Sequence, residues 1–165
     1  MRICGECTAC CDGWLVNESM GLRPGNACSH CSVKGCQIYD DRPEEPCQVF
    51  DCAWLKGDLE LAEHDRPDLS GFILIEAGNW REWPVITATP TGAAFDEATF
   101  ERLKDLCIDR NVALLYTELE QNGESYTGRG WQKAFGPPEF LTALQGGGET
   151  ESFWHIGHGF GRGGT

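Results

Sequence analysis

CGECTACC, residues 4–11, puts four cysteines into eight positions, the last two adjacent. Five more follow at positions 28, 31, 36, 47 and 52, and the tenth, Cys107, stands alone. This stretch decides how the first third of the chain is read. The surrounding sequence is rich in turn residues (LRPGNAC, DDRPEEPC) and lacks a long hydrophobic period. Short elements folded around a centre are the expectation.

Thiolate is a soft, charged donor that suits zinc, Cu(I) and iron–sulfur clusters. A C-x-x-C step lets two sulfurs reach one metal while the intervening backbone N–H groups offset their negative charge. That step recurs at 4–7, 7–10 and 28–31. The adjacent pair Cys10–Cys11 adds a constraint: in extended backbone successive side chains point to opposite faces, so either the turn there is tight, or the pair serves two metals, or two edges of a multinuclear cluster. A tetrahedral Cys4 site takes four ligands. The candidate metal ligands Cys4, Cys7, Cys10, Cys11, Cys28, Cys31, Cys36, Cys47 and Cys52 therefore exceed one mononuclear site twofold. They imply one multinuclear centre or two neighbouring sites, holding zinc or an iron–sulfur cluster.

The rest of the composition sets bounds. A chain of 165 residues suits one domain, or one domain with a small appendage. It is long enough to bury a core without staples. With 26 Asp and Glu against 13 Lys and Arg, the formal charge is −13. That argues against a phosphate-tracking nucleic-acid surface and fits a bound cationic centre better. The start MRICGECTACC has no apolar core of a secretory signal. The longest apolar runs, FILI and VALLY, are far short of a membrane span. A cytoplasmic location is expected, where thiols stay reduced and dense cysteines are metal ligands or redox groups before they are disulfides.

The break in cysteine density places a boundary near residue 57. Beyond it, GFILIEA (71–77) and WPVITATP (83–90) read as strands joined through GNWRE. DEATFERLKDLCIDRN (96–111) reads as an amphipathic helix, capped by Asp96, ended by Asn111 and presenting Phe100, Leu103, Leu106 and Cys107 on one face. VALLYTEL (112–119) reads as a third strand, GESYTGR (123–129) as a fourth, and PPEFLTALQ as a short helix with Pro in its first turn. The expected fold class is α+β. An irregular Cys-rich metal-binding module (1–57) packs on a small α+β unit (58–145) with a short antiparallel or mixed sheet and one or two helices. A flexible Gly-rich tail (146–165) follows.

The N-terminal residues carry a resemblance. CGECTACC followed by CSHC, GCQIYDDRP, PCQVFDC and AWL resembles the YkgJ-type CxxCxxCC family of zinc- or iron-chelating proteins, whose motif is related to one in flagellin lysine N-methylase. The match covers Cys4, Cys7, Cys10 and Cys11, then Cys31, Gly35, Cys36, Ile38, Tyr39, Arg42 and Pro43, then Cys47, Phe50 and Cys52. The chain departs from the pattern in having three residues between Pro43 and Cys47 and an extra thiol at Cys28. The resemblance implies metal or iron–sulfur binding and leaves the reaction open.

Around the cysteines, His30 could ligate through its imidazole or face solvent. Tyr39 and Arg42 either hydrogen-bond near the centre or hold the loop before Pro43. Trp54 and Leu55 read as an apolar lid sealing the module onto the second part, and Cys107 as a small buried hydrophobe. His155 and His158 sit among glycines with no strand and helix to frame a dinucleotide fingerprint. No Ser–His–Asp set or phosphate-gripping loop is present. The functions this pattern admits are a metal-centre protein with structural zinc or an iron–sulfur cluster, a Cu(I) or zinc handling or storage protein, and an accessory of an oxidoreductive protein modification. The expected partner is the metal ion or cluster, with no nucleic acid and no membrane.

Overall fold

The computed structural model describes residues 2–92, 94–122 and 125–146. The architecture is α+β, an irregular Cys-rich region packed on a four-stranded mixed sheet. The tail with His155 and His158 lies outside the described residues, except that Gly146 closes the last helix.

Residues 2–56 form turns and very short elements, as their turn-rich composition requires. A helical turn at Cys10–Trp14 carries the adjacent cysteines. A two-stranded antiparallel ladder pairs β1 (Cys31–Ser32) with β2 (Gly35–Cys36). Turns at Tyr39–Asp41 and Glu44–Gln48 lead to the one-turn helix α1 (Ala53–Lys56). A second one-turn helix, α2 (Pro67–Ser70), precedes the sheet with Pro67 at its first position.

The sheet runs in sequence order through β3 (Phe72–Trp80), β4 (Trp83–Pro90), β5 (Ala113–Asn122) and β6 (Ser125–Phe135). β3–β4 and β5–β6 are antiparallel hairpins, and β4–β5 is parallel. The parallel pair needs a crossover, which α3 (Glu97–Arg110) supplies. Strand β3 does not stop at residue 77. A register shift between Glu76 and Gly78 lets it continue through Gly78–Trp80, so GNW belongs to the strand and the turn is only Arg81 and Glu82. Trp80 then pairs with Trp83, and the two indoles stack at 5.7 Å. Strand β6 likewise continues beyond residue 129 to Phe135, paired with β5 as far as Leu114.

Helix α3 matches its sequence signals closely. The Asp96 carboxylate accepts from the Thr99 N–H, and Asn111 closes the helix in the left-handed conformation. Phe100 lies against Tyr116 at 5.0 Å, so α3 covers the sheet face that carries Tyr116 and its register partner Ala88. Helix α4 (Pro138–Gly146) covers part of the opposite face, with Phe140 edge-on to Trp80 and Trp83. The Cys-rich region packs on that same opposite face, over Ile75 and Thr87, which face each other across β3 and β4.

One hydrophobic core crosses residue 57. It joins Ala9, Cys52, Ala53, Trp54 and Leu61 to Phe72, Leu74, Leu103 and Leu114. The guanidinium of Arg2 donates to the carbonyls of Trp54 and Leu61 at 2.7 and 2.6 Å, and the Trp54 indole donates to Ala62 at 3.0 Å. The Cys-rich region is thus tied by backbone-directed bonds on both sides of the boundary.

Candidate metal centre

All ten cysteines are free thiols. Cys107 is fully buried on α3 within the core, as its apolar face requires. The other nine gather in the Cys-rich region. Eight of them, Cys4, Cys7, Cys10, Cys11, Cys28, Cys36, Cys47 and Cys52, line one cavity of about 520 Å³. At roughly 30 Å³ per water, that space is about seventeen waters, far more than one ion occupies. The remaining wall is mostly apolar and includes Leu15, Phe50, Trp54, Leu55 and Ile75. Trp54 is buried and Leu55 half-buried, so the lid read from the sequence does close the cavity toward the sheet.

Local backbone explains how so many thiols meet. The Cys7 N–H donates to the Cys4 carbonyl at 2.9 Å, closing the first C-x-x-C step as a turn. The Cys31 N–H donates to Cys28 in the same way at 3.0 Å, and the Cys28 N–H reaches the Cys11 carbonyl at 2.7 Å. Cys31 and Cys36 are register partners in the β1–β2 ladder. Two glycines permit the close approach of these loops. Gly13 has φ +91° and Gly35 φ +103°, and a Cβ on either would lie 2.2 Å from a carbonyl oxygen, of Arg23 and of Gly5 respectively. Cys10 and Cys11 lie in a helical turn and not in extended chain. The turn is the tight one of the alternatives, and adjacent side chains on it still diverge.

Burial and crowding set the protonation of the thiols. Burial pushes Cys7 up to about 11, Cys11 up to about 12 and Cys10 well above its ordinary value. Neighbouring thiols add to the rise wherever several would be charged together. Burial likewise raises Cys4, Cys47 and Cys52. Cys31 rises to about 11, by burial and by the Asp12 carboxylate, to which its thiol donates at 3.5 Å. Cys31 does not line the cavity. At neutral pH these groups hold their protons, and ligation must displace them.

Tyr39 and Arg42 stand at the cavity wall. The Cys4 N–H donates to the Tyr39 hydroxyl at 3.4 Å, the Arg42 guanidinium lies 3.7 Å over the Tyr39 ring, and its Nε donates to the Tyr39 carbonyl at 2.7 Å. The pair therefore serves both expectations: it fixes the loop and it faces Cys4. A Tyr39 hydrogen bond to the thiol and the charge of Arg42 partly oppose the rise at Cys4. His30 lines the cavity but is largely exposed.

The donor set fits a thiophilic metal. Eight soft donors face one space that is closed from the sheet side by apolar groups and partly shielded from water. The sulfurs stand around a wall and do not crowd one point. Among the described residues, no three His, Cys, Asp or Glu side chains stand close enough to hold one ion as they are placed.

Two carboxylates escaped the sequence reading. Asp12 accepts from Cys31 and from the Thr8 hydroxyl, the latter at 2.9 Å. Asp68 lies beside the Cys7 thiol, with its own ionisation favoured by Arg66 at 2.6 Å. Only the position of Asp12 directly after Cys11 could have signalled the first, and nothing local signals the second. Compared with family models, curated proteins and solved structures, the chain matches none. Among the described residues, no helix is long and apolar enough to cross a membrane.

Proposed function

We propose that this chain is a metal-centre protein whose N-terminal thiolates hold zinc or an iron–sulfur cluster with more than one metal atom. The observation that carries the reading is that eight cysteines line the wall of one cavity, although they are spread over 49 positions of sequence from Cys4 to Cys52. Core packing alone calls for no such gathering, since Cys107 meets that need with a single thiol. The resemblance of residues 4–55 to the YkgJ-type CxxCxxCC family supports the same conclusion. A reducing, cytoplasmic location suits ten free thiols.

When bound, an iron–sulfur cluster would supply one-electron chemistry and zinc a structural anchor. The chain's own part is to hold Cys4, Cys7, Cys10, Cys11, Cys28, Cys36, Cys47 and Cys52 in reach. Trp54 and Leu55 keep water from the sheet side, and Tyr39 and Arg42 orient the Cys4 segment.

The test is metal analysis with an acid-labile sulfide assay and a visible spectrum on protein purified without oxygen. Iron with matching sulfide and broad visible absorption identifies the cluster. Zinc with a featureless visible spectrum identifies the structural site, and Cu(I), equally featureless, points to metal handling. Protein that carries no metal and takes up none on reconstitution overturns the reading.

A further inference from the structure

Cys31 and Cys36 are set apart from the other cysteines by a fixed pairing. They face each other across the two-residue hairpin of β1 and β2. One step further along the same register, the Gln37 N–H donates to the His30 carbonyl at 2.9 Å. Hydrogen-bonded and non-hydrogen-bonded pairs alternate along an antiparallel ladder, so Cys31 and Cys36 form a non-hydrogen-bonded pair. In such a pair both side chains leave the ladder on the same face, with Cα atoms about 4.5 Å apart. A disulfide spans Cα separations of about 4.4–6.8 Å. The backbone already holds these two residues within that range.

Further bonds keep the hairpin in register. The Ser32 hydroxyl donates to the Gly35 carbonyl at 2.8 Å and accepts from the Lys34 N–H at 3.2 Å. These bonds are local to residues 30–37, so the pairing needs no metal. The two thiols differ in what they face. Cys36 lines the cavity, whereas Cys31 lies outside its wall and donates to the Asp12 carboxylate at 3.5 Å. The turn between them is open to solvent, with Val33 95% exposed. A small reagent can therefore approach the pair without entering the cavity.

We propose that Cys31 and Cys36 form a reversible dithiol–disulfide couple that exchanges with low-molecular-weight disulfides of the glutathione class. One of the two, as its thiolate, attacks a sulfur of the small disulfide; that S–S bond breaks, one small thiol leaves and a mixed disulfide remains. The second cysteine then attacks the protein-side sulfur, the Cys31–Cys36 bond forms and the second small thiol leaves. Two electrons pass from the protein to the small disulfide, and the two cysteine protons end on the released thiols. Asp12 gives up the Cys31 donor and keeps that of Thr8. Only four residues separate the cysteines, so the bond constrains the unfolded chain little and acts as a switch, not a staple. The couple stands on the hairpin alone; its consequence rests on the metal-centre reading. Oxidation takes Cys36 from the eight thiols of the cavity, and metal held by Cys36 blocks oxidation.

The test equilibrates the full chain, reduced and freed of metal by a chelator, with graded ratios of glutathione disulfide to glutathione under nitrogen. Free thiols are blocked with one alkylating reagent, disulfides are reduced, and a second reagent marks the cysteines that were bonded for mass spectrometry to locate. The first oxidation step should take the chain from ten free thiols to eight, mark Cys31 and Cys36 together, and reverse when glutathione is raised. Cys31→Ser should stop at a mixed disulfide of Cys36 with glutathione. Joint marking of Cys28 and Cys31, which the C-x-x-C turn makes the nearest rivals, overturns the proposal. So does an even spread of marks over the cavity cysteines, or a chain that keeps all ten thiols. The parent map decides the matter even where the variant does not fold. In the zinc-loaded parent the same step should need a higher disulfide ratio, and oxidation at an unchanged ratio overturns the competition with metal. A chain that takes up no zinc yet forms the couple overturns the metal-centre reading and supports this one, so the two failures are distinguishable.

Discussion

At Gly35 a single absent methyl group holds two cysteine loops together. The residue sits at φ +103°, and a Cβ there would lie 2.2 Å from the carbonyl oxygen of Gly5, inside the first C-x-x-C turn. Gly35→Ala must push the β1–β2 hairpin away from that turn, at a cost of about 1–3 kcal/mol. Thermal unfolding should report the loss, and metal analysis should show reduced content because Cys36 moves with the hairpin. Full metal content at unchanged stability would refute the packing argument. Cys107 is the opposite case. Cys107→Ala should keep full metal content and cost at most about 1–2 kcal/mol, whereas Cys7→Ser and Cys36→Ser should lower metal per chain. Burial alone raises Cys107 from 9.0 to about 12. An unfolded thiol ionises near 9 and the folded one does not, so this group's contribution is complete below pH 9 and is lost as pH rises toward 12. Chemical denaturation over that alkaline range should therefore show a shallower fall for Cys107→Ala than for the parent, and equal slopes would contradict the assignment. The cysteines were legible because thiols at short spacing have few uses in a chain of this kind. Asp12 and Asp68 were not, because a carboxylate beside a thiol has no spacing signature.

Among the elements, α3 was readable to within a residue at each end, because Asp96 and Asn111 are cap residues with a local mechanism. Strand β4 was equally clear, bounded as it is by Trp83 and Pro90. The extensions of β3 and β6 were not legible. Gly78 marks a bulge as readily as a turn, and the segment through Trp131 and Phe135 carries no strict alternation. Nor does local sequence show that β4 and β5 run parallel, since that follows from where α3 must pack. The aromatic group of Trp80, Trp83 and Phe140 is where α4 is secured, with ring centroids 5.6 to 5.7 Å apart. Phe140 is fully buried, so Phe140→Ala should cost about 3–5 kcal/mol by loss of burial and an unfilled cavity. Because this group lies apart from the cysteine cavity, metal content per folded chain should not change. A variant that loses metal while the sheet stays folded would show that α4 supports the centre directly.

Over the whole molecule, the boundary near residue 57 separates two kinds of order and not two separately packed bodies. Beyond it, the β3–β6 sheet is covered by α3 on one face and by α4 and the Cys-rich region on the other. Before it, the backbone bonds are those of isolated turns and a two-residue ladder, which bury little apolar surface of their own. The shared core runs through Ala53, Trp54 and Leu61, so most of its N-terminal anchor is α1 and the loop after it, with Ala9 and Cys52 joining it from the cysteine loops. Without a metal, the cysteine-lined cavity of about 520 Å³ has only those turns to hold it. Two responses should follow on chelation under reducing conditions. Amide exchange should accelerate through residues 4–49, where order depends on the centre, and stay slow in β3, β4 and β5. Residues 52–62 should be intermediate, because Arg2 and Trp54 tie them from the cysteine side while Phe72 and Leu74 hold them from the sheet. Reloading should reverse the change and release protons, about one for each thiol that becomes a ligand, which a weakly buffered titration counts directly. Exchange that stays equally slow on both sides of the boundary after the metal has gone would mean that the loops hold their order without it. The centre would then be a passenger on a preformed scaffold.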